Sequence, residues 1–286
     1  RIEDSIAAGL AMVDNLTLGT GDEIARAALA EKLSPEQIAQ FLPRYPSWAP
    51  RSIDAADLTA LGGGGSSKGA GTTDRVTPGS NAWVLSGAHT KSGKPLLAND
   101  PHLDFSAPAP FYLVHLRLPE RNLVGATLPG APIIVIGHND KIAWSNTTNE
   151  IDSADIIPAP KDGFKDVRTR METIKVRDWF WISHQQTIKV QSAEHGPLLD
   201  PDYFNLKAFK GQPVMLRSAA LDPNNRIFEA TRLMSSADSV DEFIAGSEGW
   251  TAPMTHELVA SVDGDIGLVS TGWLPLRDEK GAWTGY

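Results

Sequence analysis

The segment TPGSNAWVLSG, residues 77–87, joins two parts of the chain that differ in composition. Before it, residues 62–79 are rich in Gly, Ser and Thr and contain almost no large apolar side chain. Such a stretch cannot bury enough surface to offset its ordering entropy. After Ser80 the apolar content rises at once and predicts a strand. Taken alone, Pro78-Gly79-Ser80 is typical of a turn.

A second interpretation of Ser80 is chemical. If the chain is cut between Gly79 and Ser80, the serine becomes an N-terminal residue with both a hydroxyl nucleophile and a free α-amino group. The pKa of such an amine is roughly 7.7–8.0 in model peptides. It can therefore accept the hydroxyl proton near neutral pH, usually through a water. A flexible segment before the cut would let the scissile peptide distort and would not be needed after cleavage.

The overall composition is that of a globular protein. The 286 residues are 41% hydrophobic and 21% charged, which suits one large domain or two smaller ones. The net charge of −9, without a basic block, argues against binding to nucleic acid or to acidic membrane surfaces. The absence of cysteine excludes disulfides, thiolate catalysis and zinc–thiolate sites. The chain begins within a helical pattern and ends without a tail, which indicates a fragment.

The chain divides into a helical arm, a loop and a β-rich body. Residues 1–42 have apolar side chains at helical spacing, and Ser34 is the predicted N-cap of a helix with Pro35 at its first position. The segment ELVASVDGDIGLVST predicts a hairpin that turns at Asp263-Gly264. The other strand-like runs are AWVLSGA, PLLAND, FYLVHLRL, APIIVIGHNDKIAWS, ETIKVR and QTIKVQ.

From Ser80 onward the sequence resembles the penicillin acylase (penicillin amidase) family of N-terminal-nucleophile hydrolases. The resemblance is carried by GSNAWVLSG, SGKPLLANDPHL, SAPAPFYLVHL, PGAPIIVIGHNDKIAWSNTTNEIDSADI, RMETIKV, EHGPLL and SVDGDIGLVSTGWLPLR, and DEIARAAL resembles the late part of the family's α chain. It implies an α+β fold, a four-layer αββα sandwich, from a precursor that cuts itself into two chains. Residues 1–61 would then end the α chain, residues 62–79 would be a spacer, and residues 80–286 would begin the β chain.

The resemblance also assigns the catalytic residues. Ser80 would be the nucleophile. His102 in ANDPHL matches a histidine of the cephalosporin, aculeacin and homoserine-lactone acylase branches that positions or activates the nucleophile; the alternative is a loop-capping histidine. The backbone N–H of Thr148 or Asn149 would donate to the oxyanion. The second donor, an Asn side chain, is expected beyond Tyr286.

The acyl pocket is expected beside the nucleophile. Two positions that carry phenylalanine in the phenylacetyl-specific branch are here Leu103 and Ile136, with Val135, Trp144 and Asn146 as neighbours. Aliphatic side chains in place of two rings favour flexible chains over a flat ring. The resemblance therefore predicts an aliphatic acyl preference, as in N-acyl-homoserine-lactone acylases.

A structural Ca²⁺ is the cofactor that the resemblance implies, and no organic cofactor is expected. Its ligands would be Asp152, the carbonyl of Ala154, Asp155 and, from the α chain, Glu23. Two acids near a strand end are ordinarily solvated, but hard oxygen ligands of this kind suit Ca²⁺. The ion would join the α chain to the β chain and take no part in the chemistry.

The expected function is hydrolysis of linear N-acyl amides through an acyl-enzyme. Two alternatives stay open: a penicillin or cephalosporin acylase proper, and an unprocessed, non-catalytic relative that acts as a binding protein. The expected partners are a small-molecule amide and the α and β chains of one precursor, with neither nucleic acid nor membrane. From the resemblance alone, the expected location is the periplasm or the cell exterior.

Overall fold

The computed structural model describes residues 20–42, 79–103, 107, 109–131, 133–149, 151–179, 181–199, 206, 209, 211–277 and 283–285. The predicted helical pattern of residues 1–19 and the spacer up to residue 78 lie outside the described residues. Within the described part of the chain, no helix has both the length and the apolar character that a bilayer crossing requires.

The helices of the described residues are α1 (Thr20–Leu29), α2 (Pro35–Phe41), α3 (Ile227–Ser235) and α4 (Val240–Gly246). The predicted start of α2 is confirmed. The Ser34 hydroxyl accepts the Gln37 N–H at 3.3 Å, and the Gln37 side chain accepts the Ser34 N–H at 2.9 Å. Helices α3 and α4 lie within the predicted β-rich body, and the sequence-based prediction does not include them. Buried Ala230 and Met234 lie at helical spacing from Ile227, so a signal for α3 was present.

In the part of the chain that the structure describes, the strands pair antiparallel in four sheets. They are β1 (Gly79–Leu85), β2 (Leu96–His102), β3 (Tyr112–Leu118), β4 (Arg121–Thr127), β5 (Ile136–His138), β6 (Ile142–Thr148), β7 (Ala154–Pro158), β8 (Arg168–Trp179), β9 (Ile182–Ala193), β10 (Gly196–Leu199), β11 (Val214–Ser218), β12 (Thr255–Ser261), β13 (Ile266–Thr271), β14 (Leu276–Arg277) and β15 (Trp283–Gly285). The sheet orders are β1-β2, β7-β11-β10-β9-β8, β13-β12-β6-β5-β4-β3 and β14-β15. The fold is therefore mixed α and β, as expected.

The predicted hairpin around Asp263-Gly264 is confirmed. Strands β12 and β13 pair with Thr255 opposite Thr271, and the chain reverses between Ser261 and Asp265. Gly264 has a φ of +113°, a conformation that L side chains rarely adopt. Glycine at this position therefore permits the turn.

The largest core cluster lies between the six-stranded sheet and helices α3 and α4. The rings of Trp144 on β6 and Phe243 on α4 have centroids 6.3 Å apart, and Val259 on β12 is fully buried in the same cluster. Side chains alternate between the faces of a strand. Asn146 and Thr148 therefore share the helix-facing side of β6 with Trp144, and the residues between them point to the opposite face.

Asn139 holds the turn between β5 and β6 against the end of α3. Its Nδ2 donates to the carbonyl oxygens of Ser235 at 3.2 Å and Ala237 at 2.8 Å. Its Oδ1 accepts the backbone N–H groups of Lys141 at 2.7 Å and Ile142 at 2.8 Å. One buried amide thus satisfies four backbone groups and divides the APIIVIGHNDKIAWS run into two strands.

We expect Asn139→Ala to lower the free energy of unfolding by about 2–3 kcal/mol, because it leaves buried backbone groups without partners. Urea denaturation of the protein would measure the loss. Asn224→Ala is the matched control, since Asn224 is exposed on a loop. Equal midpoints for the two variants would contradict this role of Asn139.

Candidate active site

Ser80 is the second residue of β1, and the chain is continuous through the Gly79–Ser80 peptide. In the β1–β2 ladder Gly79 lies opposite His102, and Ser80 lies opposite Pro101. The Ser80 position is therefore fixed by an antiparallel ladder rather than by a loose turn. The ladder reaches one residue before Ser80, so the peptide expected to be cut lies within ordered structure.

Two side chains join this ladder to the six-stranded sheet. The Thr147 hydroxyl donates to the Ser80 carbonyl oxygen at 3.1 Å. Nδ2 of Asn99 donates to the carbonyl oxygens of Asn81 and Asn146, each at 2.9 Å. No sequence motif assigns a role to either Thr147 or Asn99. Asn99 lies in the quoted LANDPH motif, but its partner on β6 is 47 residues away and only the fold shows it.

The two candidate oxyanion donors lie at the end of β6, directly after Thr147. The Asn149 N–H donates to the Met254 carbonyl oxygen at 3.2 Å, and the Thr148 hydroxyl contacts the same oxygen at 3.4 Å. In the uncut chain, then, the Asn149 N–H is engaged. Both residues directly follow Thr147, whose hydroxyl contacts the Ser80 carbonyl oxygen, and the oxyanion role of either one stays a prediction.

His102 lies across the ladder from Gly79, next to the expected cleavage point. Its Nε2 is 2.9 Å from an Asp100 carboxylate oxygen, and both side chains are substantially exposed. A carboxylate at this distance can orient the imidazole and fix its tautomer. The proposed help of His102 to the nucleophile remains a prediction, since the described contact of its ring is to Asp100.

Most of the predicted acyl-pocket residues come together around β5 and β6. The Asn146 side chain contacts the Val135 carbonyl oxygen at 3.5 Å, and the Trp144 indole donates to the carbonyl one residue earlier at 3.2 Å. Ile136 follows Val135 as the first residue of β5. Leu103 is half-buried directly after β2. Its contact with the other four stays a prediction.

Glu257 is a buried acid on the neighbouring strand that no sequence motif indicates. It lies opposite Asn146 in the β12–β6 ladder and is 1% exposed. The Thr255 hydroxyl donates to its Oε1 at 2.8 Å, and the Thr255 and Thr271 hydroxyls are 2.8 Å apart. Burial raises the pKa of Glu257 to about 8. The side chain is therefore mainly a neutral carboxylic acid at pH 7.

The predicted calcium ligands form a second cluster, between α1 and β7. Glu23 accepts the Ile156 N–H at 2.6 Å. Arg277 donates to both Asp155 oxygens, at 3.1 and 3.0 Å, and lies 3.5 Å from Asp152. Burial raises the pKa of Glu23 to about 8, the negative charges of Asp155 and Asp152 add to the rise, and the Ile156 N–H opposes it.

The donor chemistry of this cluster suits a hard cation, because the acids Glu23, Asp152 and Asp155 lie close together and the Arg277 guanidinium pairs with the two aspartates. Ala154, whose carbonyl was the fourth predicted ligand, begins the same strand. Across the described ranges, however, no group of three or more His, Asp or Glu side chains is arranged to hold a metal ion. Arg277, which the sequence did not indicate, engages both Asp155 oxygens and makes the cluster an ion-pair network.

The sequence of the chain is similar to the sequences of known acylases. The family model for penicillin amidase matches residues 1–285. The chain is 28% identical over 244 residues to "Penicillin acylase 2 proenzyme" of Pseudomonas sp. strain SE83, covering 81% of the chain and 29% of that relative. It is 29% identical over 241 residues to "Acyl-homoserine lactone acylase QuiP" of Pseudomonas aeruginosa, covering 76% of the chain and 28% of that relative. The chain thus spans less than a third of either relative.

The chain is also similar to a third acylase over a shorter stretch and to one solved structure. The chain is 39% identical over 105 residues to "Aculeacin-A acylase" of Actinoplanes utahensis, and this match covers 36% of the chain and 12% of that relative. The thermostable penicillin G acylase of Alcaligenes faecalis superposes with a TM-score of 0.57 at 22% identity, over 71% of this chain and 39% of that one. This likeness shows a shared fold.

Proposed function

Because the chain belongs to the penicillin amidase family, we propose that it is part of an amidohydrolase that cleaves linear N-acyl amides with Ser80 as its nucleophile. One observation carries the proposal. The 3.1 Å hydrogen bond from Thr147 to the Ser80 carbonyl sets Ser80 against the end of β6, where Thr148 and Asn149 follow. A nucleophile and backbone donors in one place are what acyl transfer requires.

The first step is cleavage of the chain by its own serine. The Ser80 hydroxyl oxygen adds to the Gly79 carbonyl carbon, the peptide C–N bond breaks, and the Ser80 nitrogen takes the proton. Water then hydrolyses the resulting ester. The products are a Gly79 carboxylate and a Ser80 with free hydroxyl and free amine. Glycine before the serine leaves the carbonyl carbon open to approach.

Turnover uses the amine as base. The α-amine accepts the hydroxyl proton, through a water, as Ser80 attacks the substrate amide carbon. A backbone N–H of Thr148 or Asn149 stabilises the oxyanion. If Asn149 is the donor, its N–H must first give up the hydrogen bond to the Met254 carbonyl oxygen. The intermediate collapses, the substrate amine leaves with the proton, and an acyl ester of Ser80 remains. Water attacks this ester and frees the acid. His102, held by Asp100, positions the nucleophile from the neighbouring strand.

We expect Ser80→Ala to abolish both cleavage and turnover. Intact-mass analysis of the full-length protein should show a β chain starting at Ser80 for the wild type and only uncut chain for the variant. The rate of acyl release should fall by about 10⁴-fold or more, because the nucleophile is gone.

Ser86→Ala is the matched control, since Ser86 follows β1 and its side chain makes no capping hydrogen bond. It should mature and turn over normally. If the wild type stays uncut and Ser80→Ala leaves acyl release unchanged, the hydrolase assignment is wrong and the binding-protein alternative takes its place.

Within this function we propose a preference for aliphatic acyl groups, because Leu103 and Ile136 stand where the phenylacetyl-specific branch has aromatic rings. The relatives named acyl-homoserine lactone acylase support the same direction. We expect Leu103→Phe or Ile136→Phe to raise the ratio of kcat/KM for phenylacetyl over hexanoyl amides by about 10-fold.

Leu116→Phe on exposed β3 is the control for this ratio and should leave it unchanged. Parallel assays of the complete protein with both amides give the measurement. A wild type that prefers the phenylacetyl amide would instead support the penicillin acylase alternative. An unchanged ratio in both variants would show that positions 103 and 136 do not line the acyl pocket.

We also propose that Ca²⁺ binds at Glu23, Asp152, Asp155 and the Ala154 carbonyl, where it would supply only charge and cross-linking. Glu23 comes before the spacer and its partner Ile156 comes after it. The cluster therefore supports association of the two chains after cleavage. Binding would require one Asp155 oxygen to leave its hydrogen bond with Arg277 and to turn towards the ion.

Calcium should raise the Tm of the mature protein by about 5 °C relative to EDTA, since ligand binding to the folded state stabilises it. Glu23→Gln should remove this difference, and Glu248→Gln, a change at an exposed site, should keep it. Differential scanning fluorimetry measures both. A calcium-dependent shift that survives Glu23→Gln would show that the ion does not bind here.

A further inference from the structure

The side chain of Ser80 lies on the half-buried face of the β1–β2 ladder. Along β1 the even-numbered residues from Ser80 to Val84 are half-buried, and the odd-numbered residues from Asn81 to Leu85 are exposed. Side chains alternate between the two faces of a strand, so the half-buried residues share one face. The candidate nucleophile therefore projects from the covered side of its strand.

Asn99 on β2 shows what covers this face. It lies opposite Ala82 in the ladder, and cross-strand partners project from the same face. Its Nδ2 donates to the Asn146 carbonyl oxygen on β6 at 2.9 Å. The half-buried face, with Ser80 on it, is therefore turned towards the six-stranded sheet.

The Asn99 amide forms hydrogen bonds with the backbone on both sides of this contact. Its Nδ2 donates to the carbonyl oxygens of Asn81 in the ladder and Asn146 in β6, each at 2.9 Å. Asn81 directly follows Ser80, and Asn146 lies two residues before Thr148. The amide group is planar, so its two N–H groups point in fixed directions. One side chain thus sets how the nucleophile strand lies on β6.

A second link holds the other end of the ladder. Lys94, in the turn between β1 and β2, donates from Nζ to the Val262 carbonyl oxygen at 2.9 Å, and Val262 directly follows β12. Ser80 lies near the opposite end of β1. The Lys94 link therefore anchors the ladder to the same six-stranded sheet without touching the region of the candidate nucleophile.

We propose that Asn99 is a positioning residue, whose two hydrogen bonds hold the Ser80 hydroxyl in register with the backbone N–H donors at Thr148 and Asn149. The inference rests on the proposed function and adds a residue that acts through Ser80 rather than on the substrate. A misplacement of about 1 Å can slow a reaction by about 10²-fold. Loss of the amide should therefore slow the chemistry at Ser80 and leave the binding of the acyl chain intact.

The test compares kcat and KM for a chromogenic hexanoyl anilide, assayed on the complete, mature protein. Asn99→Leu keeps a similar shape and removes both N–H donors without adding a charge. It should lower kcat by about 10²-fold with little change in KM, because the lost interaction serves the transition state rather than substrate binding. Lys94→Met is the matched control: it breaks the link at the other end of the ladder and should keep the wild-type kcat.

Self-cleavage gives a second readout on the same variants. Because the precursor is cut by Ser80, Asn99→Leu should delay the appearance of the mature β chain in an intact-mass time course, whereas Lys94→Met should mature at the wild-type rate. A merely structural role would lower the Tm of the variants and leave kcat per mature molecule unchanged. If Asn99→Leu does not fold, Asn99→Ala removes the same donors without added volume and allows the same comparison.

Rescue by a conservative change separates the donors from the shape of the side chain. Asn99→Gln keeps both N–H donors on a longer side chain and should recover part of the lost kcat. Equal rates for Asn99→Gln and Asn99→Leu would overturn the proposal. So would wild-type kcat and maturation in Asn99→Leu and Asn99→Ala, or a loss of kcat in Lys94→Met as large as theirs.

The failure of this proposal differs from the failure of the proposed function. If hydrolysis of the anilide depends on Ser80 but the Asn99 variants turn over as the wild type does, only the role of Asn99 is wrong. If the wild type neither matures nor cleaves the anilide, or if Ser80→Ala cleaves it as fast as the wild type, the hydrolase itself is wrong.

Discussion

The side-chain amide of Asn99 joins the two halves of the site. Its two N–H groups reach Asn81, next to the candidate nucleophile, and Asn146, on the strand that leads to the candidate oxyanion donors. These two hydrogen bonds set the distance between the β1–β2 ladder and the six-stranded sheet. Any chemistry between Ser80 and β6 depends on this distance.

Features that depend on a few neighbouring residues could be predicted from the sequence. The capping box at Ser34 and the turn at Gly264 each involve residues at most four positions apart, so their signals are complete within one short segment. Helix α3 shows that a local signal can also be overlooked beside stronger strand patterns. The resemblance supplied the list of candidate site residues. It did not supply the way in which they connect.

Connections across the chain could not be predicted, because their energy comes from partners that only the fold brings together. Arg277 reaches Asp155 over 122 residues, and Thr147 reaches Ser80 over 67. Glu257 lies in a strand whose sequence suits either face, so the strand pattern alone does not show that it is buried beside Asn146. These long-range pairs are the parts of the candidate site that the structure adds.

The two buried glutamates show how environment separates ligand classes. The pKa of both is about 8 and burial is the first cause in each, but the negative charges of Asp155 and Asp152 also act on Glu23, whereas the described hydrogen-bond partner of Glu257 is the Thr255 hydroxyl. Excess negative charge around Glu23 favours a cation. An uncharged acid among threonines favours neutral hydrogen-bonding groups. The same residue type therefore has surroundings that suit a cation in one place and surroundings that suit uncharged hydrogen-bonding groups in the other.

The ladder around Gly79 also constrains the order of events in the proposed maturation. Strands β1 and β2 pair from Leu85 to Gly79 in the uncut chain, so the strand that carries Ser80 is already in register before cleavage. Cutting after Gly79 removes one pair, that between Gly79 and His102. The remaining pairs would hold Ser80 opposite Pro101, next to the His102 position. Cleavage as proposed would then create the base without a rearrangement of the sheet.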